Sequence, residues 1–261
     1  MQNLVLLIPG NPSVPGVYDP FLDQVAKDLN LKGDTLHKVL PHLGQCNQIM
    51  VKKKKITVRD VIEDHRKTIR NLLSIHSPQR VIIIGHSLGS AVTISLYEEF
   101  SPVVEKFFIL CPFLGPSANN KGYLKLFKNP ISRLGMIGIT HTGLKNKKVS
   151  HFIFKRWLGE TPFTQHIPRE IKKPLYLKNF FSLVSTYFDE FEELDMKAKV
   201  KAMDFSKVFF IFAPDDYWVP EEAINELPKD MPFKKCSGIS HDFCLRESQY
   251  KVVSKALAEH L

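Results

Sequence analysis

Cysteine is scarce in this sequence, and long apolar runs are missing from it. Four of the 261 residues are cysteines (Cys46, Cys111, Cys236 and Cys244), and they contain no C-x-x-C pair. This scarcity argues against a disulfide scaffold and against the usual zinc patterns. The apolar runs, such as those at 81–84 and 107–111, are of strand length. They fall far short of the roughly 20 residues that a membrane-spanning helix needs.

The N-terminus lacks the features of a secretory signal peptide. Residues 2–3 are uncharged, and residues 4–8 form a short apolar run that ends at Pro9. A signal peptide has a basic start and a cleavage site of small residues. We therefore interpret residues 4–8 as the first core strand. Together with the cysteine scarcity, this predicts a cytoplasmic protein.

Acidic residues are too few to balance the basic ones. The chain has 36 Lys and Arg against 27 Asp and Glu, a net charge of +9. Residues 112–200 hold 15 of the basic and 7 of the acidic residues, and they are also rich in aromatics. Without a glycine-rich or RNP-like strand, this composition does not predict nucleic-acid binding. A lipid droplet or membrane surface is one possible partner; the alternative is a solvated basic face over an aromatic core.

Apolar segments of strand length alternate with helical patterns along most of the chain. The predicted strands are 4–8, 35–40, 80–84, 106–111, 207–213 and 232–236. The predicted helices are 18–30, 57–75, 88–100, 221–227 and 243–260. This alternation predicts an α/β fold, with a mostly parallel, doubly wound sheet and helices on both faces.

The alternation stops between Cys111 and Lys207. Helical stretches such as 148–158 and 175–196 occur there, separated by proline and glycine. A structureless loop of this length is improbable in a compact domain. We therefore predict a helical cap at 112–206, inserted into a core formed by 1–111 and 207–261.

The strongest chemical signal is Ser87, in the G-H-S-L-G motif of residues 85–89. The motif follows a predicted buried strand and precedes a predicted helix, which is the setting of a nucleophile elbow. Its glycines let the chain turn sharply without a Cβ clash, so that the serine hydroxyl stands clear. A turn of small residues between a strand and a helix is the alternative explanation.

A serine nucleophile needs a histidine base, and the histidine needs a carboxylate to orient it. Hydrolases of this α/β class carry the three in the order serine, acid, histidine. Asp216 follows the strand at 207–213 and precedes Pro220 by four residues, so it is the predicted acid, with Asp215 as the alternative. His241 lies between the last strand and the last helix and is the predicted base. His86 and His65 are assigned no catalytic role.

The tetrahedral intermediate of acyl transfer needs preorganised hydrogen-bond donors. The first predicted donor is the backbone N–H of Leu88, directly after the nucleophile. The second should come from the loop after the first strand, residues 9–12. Proline has no N–H, so Asn11 is the predicted donor. Gly10 is the alternative donor. The other interpretation is that residues 9–12 form only a tight turn, with no catalytic role.

Several short segments carry a resemblance to a known family. They are I-P-G-N-P at 8–12, G-V-Y at 16–18, G-H-S at 85–87, and residues 110–120. In these the chain resembles the lipid droplet-associated hydrolases, although Ser13 replaces a glycine of that family's G-N-P-G opening. The resemblance implies an α/β-hydrolase fold and an ester hydrolase for lipid-like substrates at a lipid surface. It also implies that Ser87, Asp216 and His241 are the triad.

Two functional hypotheses follow. The first is a serine esterase or lipase for an apolar acyl ester, with no metal or organic cofactor; a thioesterase or acyltransferase would use the same triad. The second is a lipid-surface binding protein with weak or absent hydrolysis, based on the basic segment at 112–200. The sequence leaves the natural substrate and the acyl length open.

Overall fold

Each apolar segment of strand length forms a strand of a single sheet. The computed structural model describes residues 1–45, 55–117, 120–158, 161 and 163–261. The strands are β1 (Asn3–Ile8), β2 (Thr35–Val39), β3 (Arg80–His86), β4 (Lys106–Leu110), β5 (Val208–Phe212) and β6 (Phe233–Lys235). Their order is β2-β1-β3-β4-β5-β6, and every pairing is parallel. This confirms the predicted parallel sheet.

Helices cover both faces of the sheet because its central strands, β1, β3, β4 and β5, are apolar on both sides. Helices α2 (Val58–His76) and α3 (Leu88–Phe100) share one core with Leu4, Leu6 and Ile8 of β1. Helices α1 (Asp19–Asp28) and α12 (Glu247–Ala258) share the other core with Val5 and Leu7. Alternate residues of one strand therefore serve two cores, as predicted for a doubly wound sheet.

Between β4 and β5 the chain forms a helical insert, as predicted. Its seven described helices are α4 (Lys121–Lys128), α5 (Pro130–Lys145), α6 (Lys147–Leu158), α7 (Phe163–Ile171), α8 (Pro174–Val184), α9 (Tyr187–Leu194) and α10 (Met196–Lys201). A short helix, α11 (Glu221–Asn225), follows β5.

Two predicted helical stretches are interrupted in the structure. The stretch at 175–196 is divided between α8, α9 and the start of α10. Asp195 has a left-handed backbone (φ +43°), and its side chain accepts a hydrogen bond from the N–H of Ala198, so it ends one helix and caps the next. The predicted helix at 243–260 begins instead as a 3-10 turn, Phe243–Leu245, which precedes α12.

The aromatic side chains of the insert turn mostly inward. Eight of the described ones are buried: Phe113, Phe127, Phe154, Phe163, Tyr176, Phe181, Tyr187 and Phe191. Phe180 and Phe205 are partly buried, and Phe152 is 68% exposed. Most of these aromatics therefore belong to the core, in agreement with the alternative of a basic face over an aromatic core.

The cysteines of the described chain are free. Cys111, Cys236 and Cys244 are buried, and Cys46 lies outside the described residues. Within those same residues, the helices are too short or too polar to cross a bilayer.

The sheet brings two loops of interest together at its carboxyl edge. The chain runs from β1 out to β2 and then returns to β3 on the other side of β1. At such a switch point, the loops after the two central strands diverge and leave a crevice. Ile8 of β1 pairs in register with Gly85 of β3, so the loop that begins at Pro9 lies beside the turn at Ser87.

Candidate active site

Ser87 occupies a strained turn between β3 and α3. Its backbone is left-handed, with φ +53° and ψ −116°. A Cβ added to Gly85 would lie 2.4 Å from Thr93 Oγ1, and one added to Gly89 would lie 2.0 Å from the carbonyl oxygen of Ile8. The motif therefore needs glycine at both positions because helix α3 and strand β1 pack tightly around the turn.

The structure brings the predicted acid and base to Ser87. The Ser87 hydroxyl donates to Nε2 of His241, with 2.9 Å between Oγ and Nε2. On the opposite side of the ring, Nδ1 of His241 donates to Oδ2 of Asp216 at 2.7 Å. This tautomer leaves the Nε2 lone pair facing the serine, which is the arrangement needed to remove its proton.

Asp216, rather than the alternative Asp215, reaches the histidine. The Asp216 side chain is only 1% exposed, and its Oδ1 accepts a hydrogen bond of 2.8 Å from the N–H of Trp218. Asp215 is exposed and has a left-handed backbone, with φ +52°. The two neighbouring carboxylates therefore occupy different environments, and Asp216 is the one held in place.

The two predicted oxyanion donors lie at the same cavity as Ser87. Asn11 and Leu88 both line this cavity. Among the described residues, their backbone N–H groups have no hydrogen-bond acceptor. The alternative donor, Gly10, is already engaged, because its N–H donates to the Tyr18 hydroxyl at 2.9 Å. Asn11 is therefore the better placed of the two.

His86, which the sequence analysis left without a role, connects the loops of the site. Its Nε2 donates to the carbonyl oxygen of His241 at 2.8 Å, and its Nδ1 accepts from the Tyr18 hydroxyl at 2.7 Å. Burial lowers the pKa of His86 to about 3, so the ring stays neutral and can both donate and accept. The only available sequence signal was its position beside Ser87 in the motif.

Comparison with known families covers nearly the whole chain. A family model described as lipid-droplet associated hydrolase matches residues 1–244. The chain belongs to the lipid-droplet associated hydrolase family. It is 25% identical over 272 residues to the lipid droplet-associated hydrolase of Pongo abelii, with 94% of this chain and 81% of the relative covered. For the Mus musculus protein the identity is 24%, with 95% and 82% covered.

Solved structures agree with the fold of this family member. An α/β hydrolase fold protein from Burkholderia ambifaria superposes with a TM-score of 0.71 at 13% identity, covering 97% of this chain and 90% of that chain. The 2-hydroxy-6-oxo-6-phenylhexa-2,4-dienoate hydrolase of Rhodococcus sp. strain RHA1 gives 0.70 at 14%, covering 99% and 90%. The predicted family and fold are thus confirmed, and the chain is a hydrolase of the α/β-hydrolase class.

The cavity of this family member is largely apolar and has Ser87 in its wall. Its volume is about 530 Å³, within the usual range for small-molecule sites. The helical insert and the segment leading into it supply much of the apolar lining: Phe113, Leu124, Phe127, Ile167, Phe180 and Val184. Polar side chains, among them Asn11, Ser87 and His241, also line the cavity.

Three donor atoms approach one another closely enough to suggest a metal site. His86, Cys111 and His241 each contribute one, and these atoms lie within 4.8 Å of one another. Both nitrogens of each histidine are already hydrogen-bonded, as described above. Burial raises the pKa of the Cys111 thiol, which disfavours the thiolate that metals bind. These hydrogen bonds and the protonated thiol disfavour metal coordination by the three residues.

Proposed function

We propose that the protein is a serine hydrolase that cleaves carboxylic esters of apolar acyl groups. The observation that carries this proposal is the hydrogen-bonded chain Asp216–His241–Ser87 at the wall of an apolar cavity. A hydroxyl is a weak nucleophile at neutral pH, and a neutral imidazole within 3 Å is the usual means of activating it.

In the proposed mechanism, Ser87 Oγ forms a bond to the ester carbonyl carbon while its proton passes to His241 Nε2. Asp216 accepts the Nδ1–H throughout, which stabilises the imidazolium. The backbone N–H groups of Leu88 and Asn11 hold the oxyanion. Collapse breaks the bond to the alcohol oxygen, and that oxygen takes the proton from His241.

Water completes the cycle in the second half of the reaction. His241 removes a proton from the water as the water oxygen attacks the acyl carbon. Collapse of the second intermediate breaks the bond to Ser87 Oγ, which regains its proton, and releases the carboxylic acid. A thiol-ester substrate or an acceptor other than water would use the same acyl-enzyme, so thioesterase and acyltransferase activities belong to the same chemistry.

The apolar lining of the cavity favours a substrate whose acyl group is uncharged. Burying a methylene group contributes about 0.8 kcal/mol, so each carbon that fits should improve binding until the cavity is filled. Residues 112–206 would act as the cap that encloses the acyl chain of the substrate. The family name gives independent support for lipid-like substrates.

A series of p-nitrophenyl esters from acetate to palmitate tests this proposal. We expect turnover, with kcat/KM rising about three- to fourfold per methylene, as about 0.8 kcal/mol implies, and then levelling off. A burst of p-nitrophenol equal to the enzyme concentration would identify an acyl-enzyme when deacylation is slow. Absence of turnover for every chain length would contradict the proposal.

We further propose that the helices α4 to α6 bind a lipid surface. Residues 121–158 hold nine basic and no acidic residues. The same helices expose large apolar side chains, which we call the apolar face of the insert: Leu126, Ile131, Leu134, Ile139, Val149, Phe152 and Ile153. Apolar side chains amid positive charge suit the boundary of an anionic lipid layer.

Flotation with vesicles of phosphatidylcholine and phosphatidylserine tests whether the helices α4 to α6 bind a lipid surface. The double variant Ile131→Asp/Phe152→Asp should bind at least about tenfold more weakly, because each buried apolar side chain contributes roughly 1.5–3 kcal/mol. The matched control is Ile75→Asp/Val103→Asp, which alters two exposed apolar residues outside the insert. Equal weakening by both pairs, or binding that is indifferent to phosphatidylserine, would contradict this role.

A further inference from the structure

Tyr187, at the start of α9, is buried at the cavity that contains Ser87. Its ring packs against Phe113 and Phe191, with centroid separations of 5.1 Å and 5.6 Å. The N–H of Phe113 donates to the carbonyl oxygen of Ser87 at 3.1 Å, so this ring cluster adjoins the nucleophile turn. Both Tyr187 and Ser87 line the cavity.

The Tyr187 hydroxyl accepts a hydrogen bond from the side chain of Asn11, with 2.6 Å between Nδ2 and Oη. A backbone group fixes the direction of this bond. The N–H of Ser13 can only donate, so the Gln45 atom that it meets at 2.7 Å is Oε1. Gln45 Nε2 then donates to Asn11 Oδ1 at 2.8 Å, which turns Asn11 Nδ2 toward the tyrosine.

This series of hydrogen bonds leaves the proton of the Tyr187 hydroxyl without an acceptor in the described part of the protein. A phenol has one proton, and Asn11 occupies an oxygen lone pair rather than that proton. Buried donors are almost always paired with a protein group, a water or a ligand, so this proton is available to an acceptor in the cavity. Burial also raises the pKa of Tyr187, so the phenol keeps its proton at neutral pH.

We propose that Tyr187 is a further catalytic residue, whose hydroxyl donates a hydrogen bond to the oxyanion of the tetrahedral intermediate. This inference rests on the proposed serine-hydrolase function. Asn11 would then have two roles. Its backbone N–H would donate to the oxyanion, and its side chain would orient the Tyr187 hydroxyl. The proton stays on Tyr187 throughout. Because Tyr187 belongs to the helical insert, the oxyanion site is complete only when the insert is seated on the core.

The variant Tyr187→Phe removes the hydroxyl and keeps the ring contacts. We expect kcat for a p-nitrophenyl ester to fall about 100-fold with little change in KM, the loss typical of one oxyanion donor. A trifluoromethyl ketone, which forms an oxyanion adduct with the serine, should lose affinity by a similar factor. An analogue that carries a methyl ether in place of the trifluoromethyl ketone group forms no adduct with the serine. Its affinity for Tyr187→Phe should equal its affinity for the wild-type protein.

Two further variants separate a direct donor from an indirect effect. Tyr97→Phe removes a hydroxyl that is bonded to Asp204 away from the cavity, and it should keep the wild-type rate. In an Asn11→Ala background, Tyr187→Phe should still lower kcat at least about threefold, because the phenol acts on the oxyanion itself. Thermal unfolding verifies that each variant is folded.

An unchanged kcat in Tyr187→Phe, a loss confined to KM, or no additional loss in the Asn11→Ala background would overturn the inference. Its failure is distinguishable from failure of the proposed function. If Ser87→Ala is inactive while Tyr187→Phe retains the wild-type rate, only the role of Tyr187 is refuted. If Ser87→Ala retains activity, the proposed function itself is refuted.

Discussion

Ser87→Ala is expected to lower kcat/KM for a p-nitrophenyl ester by about 10⁴-fold or more. The loss is this large because the substitution removes the only atom that forms the acyl bond in the proposed mechanism, and members of a triad act as a unit. The remaining rate would come from the oxyanion donors and from substrate binding. Initial rates over a range of ester concentrations measure the effect.

The matched control for this prediction is Ser101→Ala. Ser101 follows the end of α3, and its hydroxyl bonds to the carbonyl oxygen of Glu98 in an exposed setting. It should retain the wild-type kcat/KM. If Ser87→Ala loses less than about tenfold while folding normally, esters are hydrolysed by some group other than the proposed nucleophile.

The second large effect is expected for Asp216→Asn, with kcat lower by about 10⁴-fold and thermal stability nearly preserved. The N–H of Trp218 would hold the asparagine oxygen, so that its NH₂ group faces His241 Nδ1. That nitrogen must then accept rather than donate, which moves the ring proton to Nε2. A protonated Nε2 cannot take the proton of Ser87, so the base is lost while the site keeps its shape.

Asp215→Asn provides a matched control at the neighbouring position. It makes the same chemical change one residue away, on an exposed side chain, and should alter kcat less than about threefold. Steady-state kinetics of the two variants, with circular dichroism to verify folding, gives the comparison. A large loss in Asp215→Asn with an active Asp216→Asn would reverse the assignment of the acid.

The elements that the sequence predicted well are those with short-range signals. Apolar runs of strand length mark the four central strands, β1, β3, β4 and β5. The glycines around Ser87 mark a turn that only they can form. Asp216 and His241 were predictable because a parallel sheet collects the ends of its strands at one edge. Their meeting at hydrogen-bond distance follows from that topology, although 154 residues separate His241 from Ser87.

The remaining parts of the site depend on contacts that leave no local pattern. Tyr187 and Asn11 are 176 residues apart, and nothing near either position predicts the other. The side chains of Gln45 and Tyr18 likewise each make two hydrogen bonds to residues that are distant in the sequence or on another loop. The helices α4, α5 and α7 were not individually predicted. In α5, several glycines and exposed apolar side chains obscure the usual amphipathic pattern, and in α7 a proline, Pro168, lies inside the helix.

Labelling with a fluorophosphonate, followed by intact-mass and peptide analysis, tests the central claim most directly. The reagent phosphonylates a serine only when a base and oxyanion donors activate it. We predict one adduct per wild-type molecule, located on the peptide that contains Ser87, and no adduct in His241→Ala. An unlabelled wild-type protein, or an adduct on another residue that persists in Ser87→Ala, would contradict the account.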